Sequence, residues 1–579
     1  MKYLLPLIFS ILLLCFGCTK ERSEDFTLHI IHTTDVHGNL FPYDFINNRE
    51  GSGSYARVAY YVEQLRKNGE ELLLLDAGDI LQGQPTAYYY NFIDTNAFHL
   101  VAAALNHMEY DAVVVGNHDI ETGHKVYDKW MTELNMPLMA ANVIRTSNNT
   151  EEEHPYFQPY VIFQKGGKRI ALLGLTSPAL THQLPEVLWS GMRFEDQIET
   201  AQKYMPEILA TEPDLIIAMI HSGIGEDRKE PEYMGEQVGL DLAKAVPELD
   251  IILMGHDHKE TMESYQQPNG KVTWLINPAN DANKLSHTTV TFHKDGTKSI
   301  EPSLVSIKRT EPSLLYLKAF SSQKEVVKEF VNQPVGHITE DMDARSSLFR
   351  PCTFIDLIHQ LQFSIFPEAE ISITAPLADN VVLKAGELYM RDLFNLYSYE
   401  NMLYLMELTG EELKGLLEES YDRWIQTMAS PTDPMLQINM DKLDGQYLPT
   451  RHPTFNFDSA AGMTYTIDVR MPRGERIEIT KVGKADFSAD RKYKVALNSY
   501  RGNGGGGLLT EGAGLSTSEL KKRIINATDM DLRYFLIRFL KKHDPYQPHV
   551  IADWQFIPKE WSDIAIPRDS SILYQNRSL

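Results

Sequence analysis

Five stretches of the chain end an apolar run with side chains able to hold a metal ion. "HIIHTTDVHGN" presents Asp35 and His37, "LLLLDAGDILQG" presents Asp79, and "VVVGNHD" presents Asn117, His118 and Asp119. "LIIAMIHSG" adds His221, and "IILMGHDH" adds His256, Asp257 and His258. Aspartate oxygen and imidazole nitrogen suit zinc, manganese, iron or cobalt, and a central aspartate can bridge two ions. Two such ions roughly 3.5–4 Å apart clamp a phosphoryl group for transfer to water. Asp35/His37 and His256/His258 are i,i+2 pairs, whose side chains point the same way where the chain is extended. A polar strand exit also commonly caps a helix or closes a turn, and a single Asp-x-His pair carries little weight. Five matched exits in order carry far more.

These residues need elements that bring them together. Strands are expected at 26–34, 71–79, 111–119, 169–176, 214–222 and 250–258, separated by helical patterns at 54–69, 97–108 and 123–135. Near-continuous apolar strands alternating with helices argue for a sheet covered on both faces. Ligands bind beyond the carboxyl ends of strands in open α/β sheets, so exits that share a sheet would converge on one site. Shorter strands at 272–277, 287–293 and 300–308 close this half. Residues 311–335 read as one linker helix ending before Pro334. From 336 to about 560, helices such as "TGEELKGLLEESYDRW" mix with strands such as "AGMTYTIDVRM" and "YKVALNSY", an α+β pattern. The tail after Asp563 is polar and expected to be ordered by docking.

The chain has 579 residues, 43% of them hydrophobic, enough for two to four domains. Its formal net charge of −24 opposes binding to duplex nucleic acid, so an anionic substrate needs local positive charge, such as metal ions. No obligate protein partner is evident. Residues 1–18 form a targeting segment: Lys2, an apolar run too short to span a bilayer, then Gly17-Cys18. This resembles a bacterial lipoprotein signal, with Cys18 acylated and the protein held at the cell envelope, on the outer membrane or in the periplasm. An ordinary cleaved secretory signal is the alternative. Of the three cysteines, only Cys352 lies in the mature body, which excludes an internal disulfide and cysteine-held zinc.

Asp-x-His, Gly-Asp, Gly-Asn-His-Asp, His-Ser-Gly and Gly-His-x-His in this order resemble the calcineurin-like metallophosphoesterases. The wording "TTDVHGN", "DAGDILQGQP", "GNHDIETG", "IHSGIG" and "GHDH" resembles the 5′-nucleotidase / 2′,3′-cyclic nucleotide phosphodiesterase family, and the likeness covers nearly the whole mature chain. It implies a four-layer α/β/β/α metallophosphoesterase domain over 26–310, the linker helix at 311–335, and a C-terminal α+β nucleotidase domain over 336–560. It implies two divalent ions: one held by Asp35, His37 and His258, the other by Asn117, His221 and His256, with Asp79 bridging. His118 would be the catalytic imidazole, Glu121 the carboxylate orienting it, and Asp119 a support for its loop. His29 and His32 are left as structural.

In the second half, "NLYSYENMLYLMELTGEELKGLLEES" resembles the family's nucleotide-binding segment, with Tyr399 and Asn401 at the base-contacting positions, and "LNSYRGNGGGG" matches Tyr500 to the second aromatic. Residues 504–507 would let backbone approach that ring. Family 5′-nucleotidases carry a phosphate-contacting arginine where this chain has Asp379-Asn380, and their ribose-contacting aspartate has no counterpart in "GNGGGG". "SITAPLADN", "YSYENML", "FNFDSAAGMTYTIDV" and "NSYRGNGG" are closer to the 2′,3′-cyclic-nucleotide 2′-phosphodiesterase/3′-nucleotidase branch. The resemblance therefore implies metal-assisted hydrolysis of nucleotides, with water attacking phosphorus in line and the two halves meeting over the substrate. A 5′-nucleotidase or nucleotide-sugar hydrolase is the enzymatic alternative. A non-catalytic nucleotide-binding surface lipoprotein is the other, and it predicts a lost metal ligand.

Overall fold

The computed structural model describes residues 25–146, 154–225, 235–439 and 450–574; the signal segment and Cys18 lie outside them. In chain order the strands that build the first half are β1 (Phe26–Thr33), β2 (Leu72–Asp76), β3 (Ala112–Val114), β4 (Leu138–Met139), β5 (Tyr160–Lys165), β6 (Lys168–Thr176), β7 (Leu215–His221), β8 (Ile251–Met254), β9 (Glu260–Gln266), β10 (Val272–Pro278), β11 (Lys284–Phe292) and β12 (Lys298–Ser306). They form two six-stranded sheets, ordered β12-β11-β1-β2-β3-β4 and β9-β10-β8-β7-β6-β5.

The apolar runs are buried on both faces because the sheets pack on each other. Leu28, Leu73 and Val114 of the first sheet share an interior with Leu172, Ile217 and Leu253 of the second. Helices Tyr55–Lys67, Leu100–Met108 and His124–Glu133 cover the outer face of the first sheet, and Gln197–Ala210 and Gly239–Ala245 that of the second. The result is the α/β/β/α order of layers. Each buried Leu or Ile contributes about 1.5–3 kcal/mol, so a one-residue slip of any strand, which would turn its inward set outward, is strongly disfavoured.

This arrangement bears out the four-layer order that the resemblance implied, and it refines the single sheet read from the strand pattern alone. β1, β2 and β3, which lead to Asp35, Asp79 and Asn117, run parallel in one sheet. β7 and β8, which lead to His221 and His256, run parallel in the other. The exits converge because the carboxyl edges of two stacked sheets meet, a relation that strand periodicity does not report.

Residues 311–335 depart from the single helix expected. The structure has two helices, Leu314–Ala319 and Ser321–Val331, broken at Phe320, and the chain then enters a strand, Pro334–Ile338. The break lets Phe320 bury its ring against Tyr316 and His107 of the first half, with ring centroids 4.8 and 5.4 Å away. The segment is part of the core rather than a free connector.

The C-terminal half is α+β. Strands Ser459–Ala461, Ile371–Thr374, Lys492–Asn498, Leu403–Thr409 and Ile524–Ala527 make a five-stranded mixed sheet in that order, and a four-stranded sheet packs nearby. Helix Gly410–Trp424 starts at a reciprocal cap between Thr409 and Glu412. The polar tail is a helix, Lys559–Tyr574. It docks through buried Asp569, whose carboxylate accepts from the backbone N–H groups of Met435 and Leu436 at 2.8 and 2.9 Å.

Candidate active site

The site begins where the strands stop. Asp35, His37, Asp79, His256 and His258 all have positive φ, between 49° and 74°. The two i,i+2 pairs therefore converge through left-handed turns, not through the extended geometry expected of them. Asp and His tolerate this conformation better than most residues, and its cost is tolerated where surrounding structure fixes it. Two glycines of the motifs are required by crowding. A Cβ on Gly116 would sit 2.1 Å from Asp79 Oδ1, and one on Gly255 would sit 2.1 Å from Thr34 Oγ1 and 2.8 Å from Asp35 Oδ2.

The structure gathers the seven predicted ligands into two adjoining groups. In the first, His258 Nε2 lies 3.3 Å from Asp35 Oδ1 and 3.0 Å from His37 Nε2. In the second, His221 Nε2 lies 3.0 Å from Asp79 Oδ2 and 3.0 Å from Asn117 Oδ1, and His256 Nδ1 lies 3.0 Å from that same amide oxygen. The backbone N–H of His256 donates to Asp35 Oδ2 at 2.9 Å, which ties the groups together. Ligand atoms of Asp35, His37 and His258, and those of Asp79, His221 and His256, each fall within 4.8 Å of one another.

The donor chemistry fits cations. His37 Nδ1 is 3.2 Å from the Gln82 carbonyl, and His221 Nδ1 is 2.8 Å from the Ala77 carbonyl. A carbonyl only accepts, so each Nδ1 carries a hydrogen and each Nε2 is the nitrogen turned toward the cluster, where it can hold a proton or a metal ion. Those nitrogens meet carboxylate, amide and imidazole acceptors, so positive charge is needed among them, as protons or as metal ions. Burial opposes a charge on His221, yet the Asp79 and Asp35 carboxylates raise it to about 9. Burial and neighbouring His258 push His37 down to about 4, leaving it neutral, the form that ligates metal. Burial would raise Asp35, but hydrogen bonding to His258 and the His221 charge hold it well below the usual carboxylate range.

His118 follows from one helical turn. Asn117–Glu121 is a short helix, so His118 and Glu121 are i,i+3 neighbours on one face. His118 Nδ1 and Glu121 Oε2 are 2.5 Å apart, and the His118 backbone N–H donates to Asp79 Oδ1 at 2.8 Å. Burial opposes the imidazolium, but the Asp79 and Glu121 carboxylates outweigh it and push His118 up to about 10. Asp119 points the other way. It accepts from the backbone N–H groups of Gly116 and Asp79 on one oxygen, and of Ile80 and Leu81 on the other, at 2.8–2.9 Å. His29 and His32 lie elsewhere, bonded to His287 and Ser286.

A cavity of about 520 Å³ joins this centre to the C-terminal half. Its lining includes Asn117, His118, Glu121 and His256 at one end, and Tyr399, Asn401, Phe455, Asn498 and Tyr500 at the other. Tyr399 and Tyr500 each meet the Phe455 ring nearly at right angles, 81° and 86°, with centroids 6.2 Å away. Phe455 thus makes an edge contact with each tyrosine. It was not singled out in the sequence, although it sits within "FNFDSAAG"; one aromatic in a strand-rich stretch carries no signal of its own. Behind Tyr500, the buried Arg501 donates to Asp458 Oδ2 at 2.5 Å and to the Phe455 carbonyl at 3.0 Å. Gly505 packs against Tyr500: a Cβ there would lie 2.5 Å from the ring, so this position requires glycine.

Comparison with known proteins matches both halves. Residues 28–260 match the calcineurin-like phosphoesterase family, and residues 334–511 match the 5′-nucleotidase C-terminal domain. A 2′,3′-cyclic-nucleotide 2′-phosphodiesterase/3′-nucleotidase of Haemophilus influenzae is 25% identical over 95% of this chain and 90% of its own length. One of the same description from Yersinia enterocolitica is 24% identical over 95% of this chain and 91% of its own. A candidate 5′-nucleotidase from Staphylococcus aureus, solved with α-ketoglutarate, shares the fold with a TM-score of 0.77 at 21% identity, over 92% of this chain and 99% of that one. The chain therefore belongs to the calcineurin-like phosphoesterases that carry a 5′-nucleotidase C-terminal domain.

Proposed function

We propose that the enzyme hydrolyses 2′,3′-cyclic nucleotides to 3′-nucleotides, and these on to nucleoside and phosphate. The observation that carries this reading is the single cavity whose two ends are a metal-type ligand cluster and a pair of tyrosine faces. Its volume lies in the ~300–1,000 Å³ range usual for small-molecule sites. The cyclic and 3′ specificity is supported by the descriptions of the relatives and by Asp379-Asn380 standing where family 5′-nucleotidases carry arginine.

Asp35, His37 and His258 would hold one divalent ion and Asn117, His221 and His256 the other, with Asp79 shared. When bound, such ions neutralise phosphoryl oxygens and acidify water. Tyr399 and Tyr500 hold the base by stacking, worth about 1–3 kcal/mol per face, and so set where the phosphate lies. His118, with Nδ1 engaged by Glu121, offers the Nε2 proton to the leaving ribose oxygen as the phosphorus–oxygen bond breaks. In the first reaction the oxygen of a water bonds to phosphorus as the 2′ oxygen leaves with that proton; in the second, once His118 has been reprotonated, another water oxygen bonds to phosphorus as the 3′ oxygen leaves with its proton.

The test is a substrate panel on purified protein supplied in turn with zinc, manganese, iron or cobalt: 2′,3′-cyclic AMP, 3′-AMP, 5′-AMP and a nucleotide sugar. The highest kcat/KM is expected for the first two. A clear preference for 5′-AMP would move the enzyme to the 5′-nucleotidase branch.

A further inference from the structure

Beyond the cavity, the base-contacting segment is gripped from behind by one buried cation. Arg533 is fully buried. Its guanidinium donates to Glu400 Oε1 at 3.0 Å and to the Tyr397 carbonyl at 2.9 Å. The neighbouring Leu532 N–H donates to the Asn401 carbonyl at 2.9 Å. Three anchors thus bracket Tyr399 from both sides, all from the start of helix Leu532–Lys542.

The same guanidinium is stacked against the other half of the molecule. It lies 4.5 Å from the Tyr88 ring centroid and 4.1 Å from that of Phe394. Tyr88 belongs to the N-terminal half, and its hydroxyl is 3.4 Å from Asp531 Oδ2. It ends a short helix, Pro85–Tyr88, that is fixed to the metal-type loops: the Gln84 N–H donates to the His37 carbonyl at 2.9 Å, and Thr86 Oγ1 donates to the Gly38 carbonyl. The path from His37 to Tyr399 crosses from one half to the other at the Tyr88–Arg533 contact, and a second, shorter crossing runs from Gln82 Nε2 to the Ser398 carbonyl at 3.4 Å.

We propose that Tyr88 and Arg533 form an interdomain brace that sets the position of the Tyr399 platform relative to the ligand cluster. Both are positioning residues: neither lines the cavity. The geometry suits a planar, bidentate cation: the guanidinium contacts both rings, which stand at 85° to each other, while donating in two directions; lysine keeps the charge and loses the fork. A buried charge network of this kind is poor at adding stability but good at fixing one arrangement. The proposal rests on the nucleotide reading above.

The experiment compares Arg533→Lys and Tyr88→Leu with wild type on two esters: 2′,3′-cyclic AMP, and bis(p-nitrophenyl) phosphate, which has no base to stack. Each variant is expected to lose tenfold or more in kcat/KM on the nucleotide, mostly through KM, while base-free turnover stays within twofold. The double variant should lose little more than either single one, because both break the same contact. Equal losses on the two esters, or an unchanged preference for the nucleotide, would overturn the brace. If Arg533→Lys fails to fold, Tyr88→Leu decides, since it leaves the C-terminal half intact. Wild type showing no preference for the nucleotide would instead sink the nucleotide reading itself.

Discussion

In the proposed mechanism His118 has value as an acid only while it holds a proton at the pH of turnover, and the residues around it favour that. Asp79 and Glu121 both favour the imidazolium, against burial. Substituting Glu121→Gln removes one of the two negative charges and turns a charged hydrogen bond into a neutral one. The sign follows directly: the His118 pKa falls, so the alkaline limb of the kcat profile, where the imidazolium is lost, moves to lower pH. Full pH–rate profiles of both proteins check this, and an unmoved alkaline limb would remove His118 from the role of acid. His118→Ala should lower kcat by about 10²–10⁴-fold, the usual worth of a positioned acid, with KM changed little. The motifs made this chemistry legible, because Asp, Asn and His at strand exits are rarely placed there for packing. Phe455 was not legible: it matters because it touches two tyrosines distant in sequence, and nothing local in "FNFD" says so.

The helical turn Asn117–Glu121 shows how an element aims three functions at once. Asn117 faces the ligand cluster, His118 and Glu121 face the cavity, and Asp119 faces inward to bind four backbone N–H groups. An asparagine at 119 could accept on one oxygen only and would turn an NH₂ group toward donors. Each stranded donor costs ~1–3 kcal/mol. Asp119→Asn is therefore expected to lower the urea midpoint and to weaken metal binding, since the Asp79 loop loses its anchor. Denaturation curves and a metal titration measure both, and unchanged values in each would mean that the loop holds itself. Most elements could be read from periodicity, down to the amphipathic helix at 54–69, observed as Tyr55–Lys67. The break at Phe320 could not, because no helix-stopping residue marks it; the ring packs there against Tyr316 and, from far in sequence, His107. Nor could the division of the strands between two sheets, since strands buried on both faces look alike in sequence whichever sheet they join.

On the scale of the whole molecule, a chain of net charge −24 has to attract an anion. The described residues answer by concentrating acceptors: two buried carboxylates, four imidazoles and an amide meet where two sheets end, an arrangement that suits divalent cations. Binding to the folded chain alone also stabilises it by RT ln(1 + [M]/Kd), about 2.7 kcal/mol at a hundredfold excess over Kd, so chelation is expected to lower the melting temperature as well as stop turnover. In the proposed reading, the second half contributes the tyrosine slot that makes the phosphoesterase selective for nucleotides. The most direct measurement is the divalent-metal content of the purified protein and of Asp79→Asn, taken alongside phosphoesterase activity before and after chelation. Two equivalents per chain are expected for wild type and fewer for the variant, with activity lost on chelation and restored by zinc, manganese, iron or cobalt. Full activity in protein free of stoichiometric divalent metal would contradict a dinuclear centre at these seven residues.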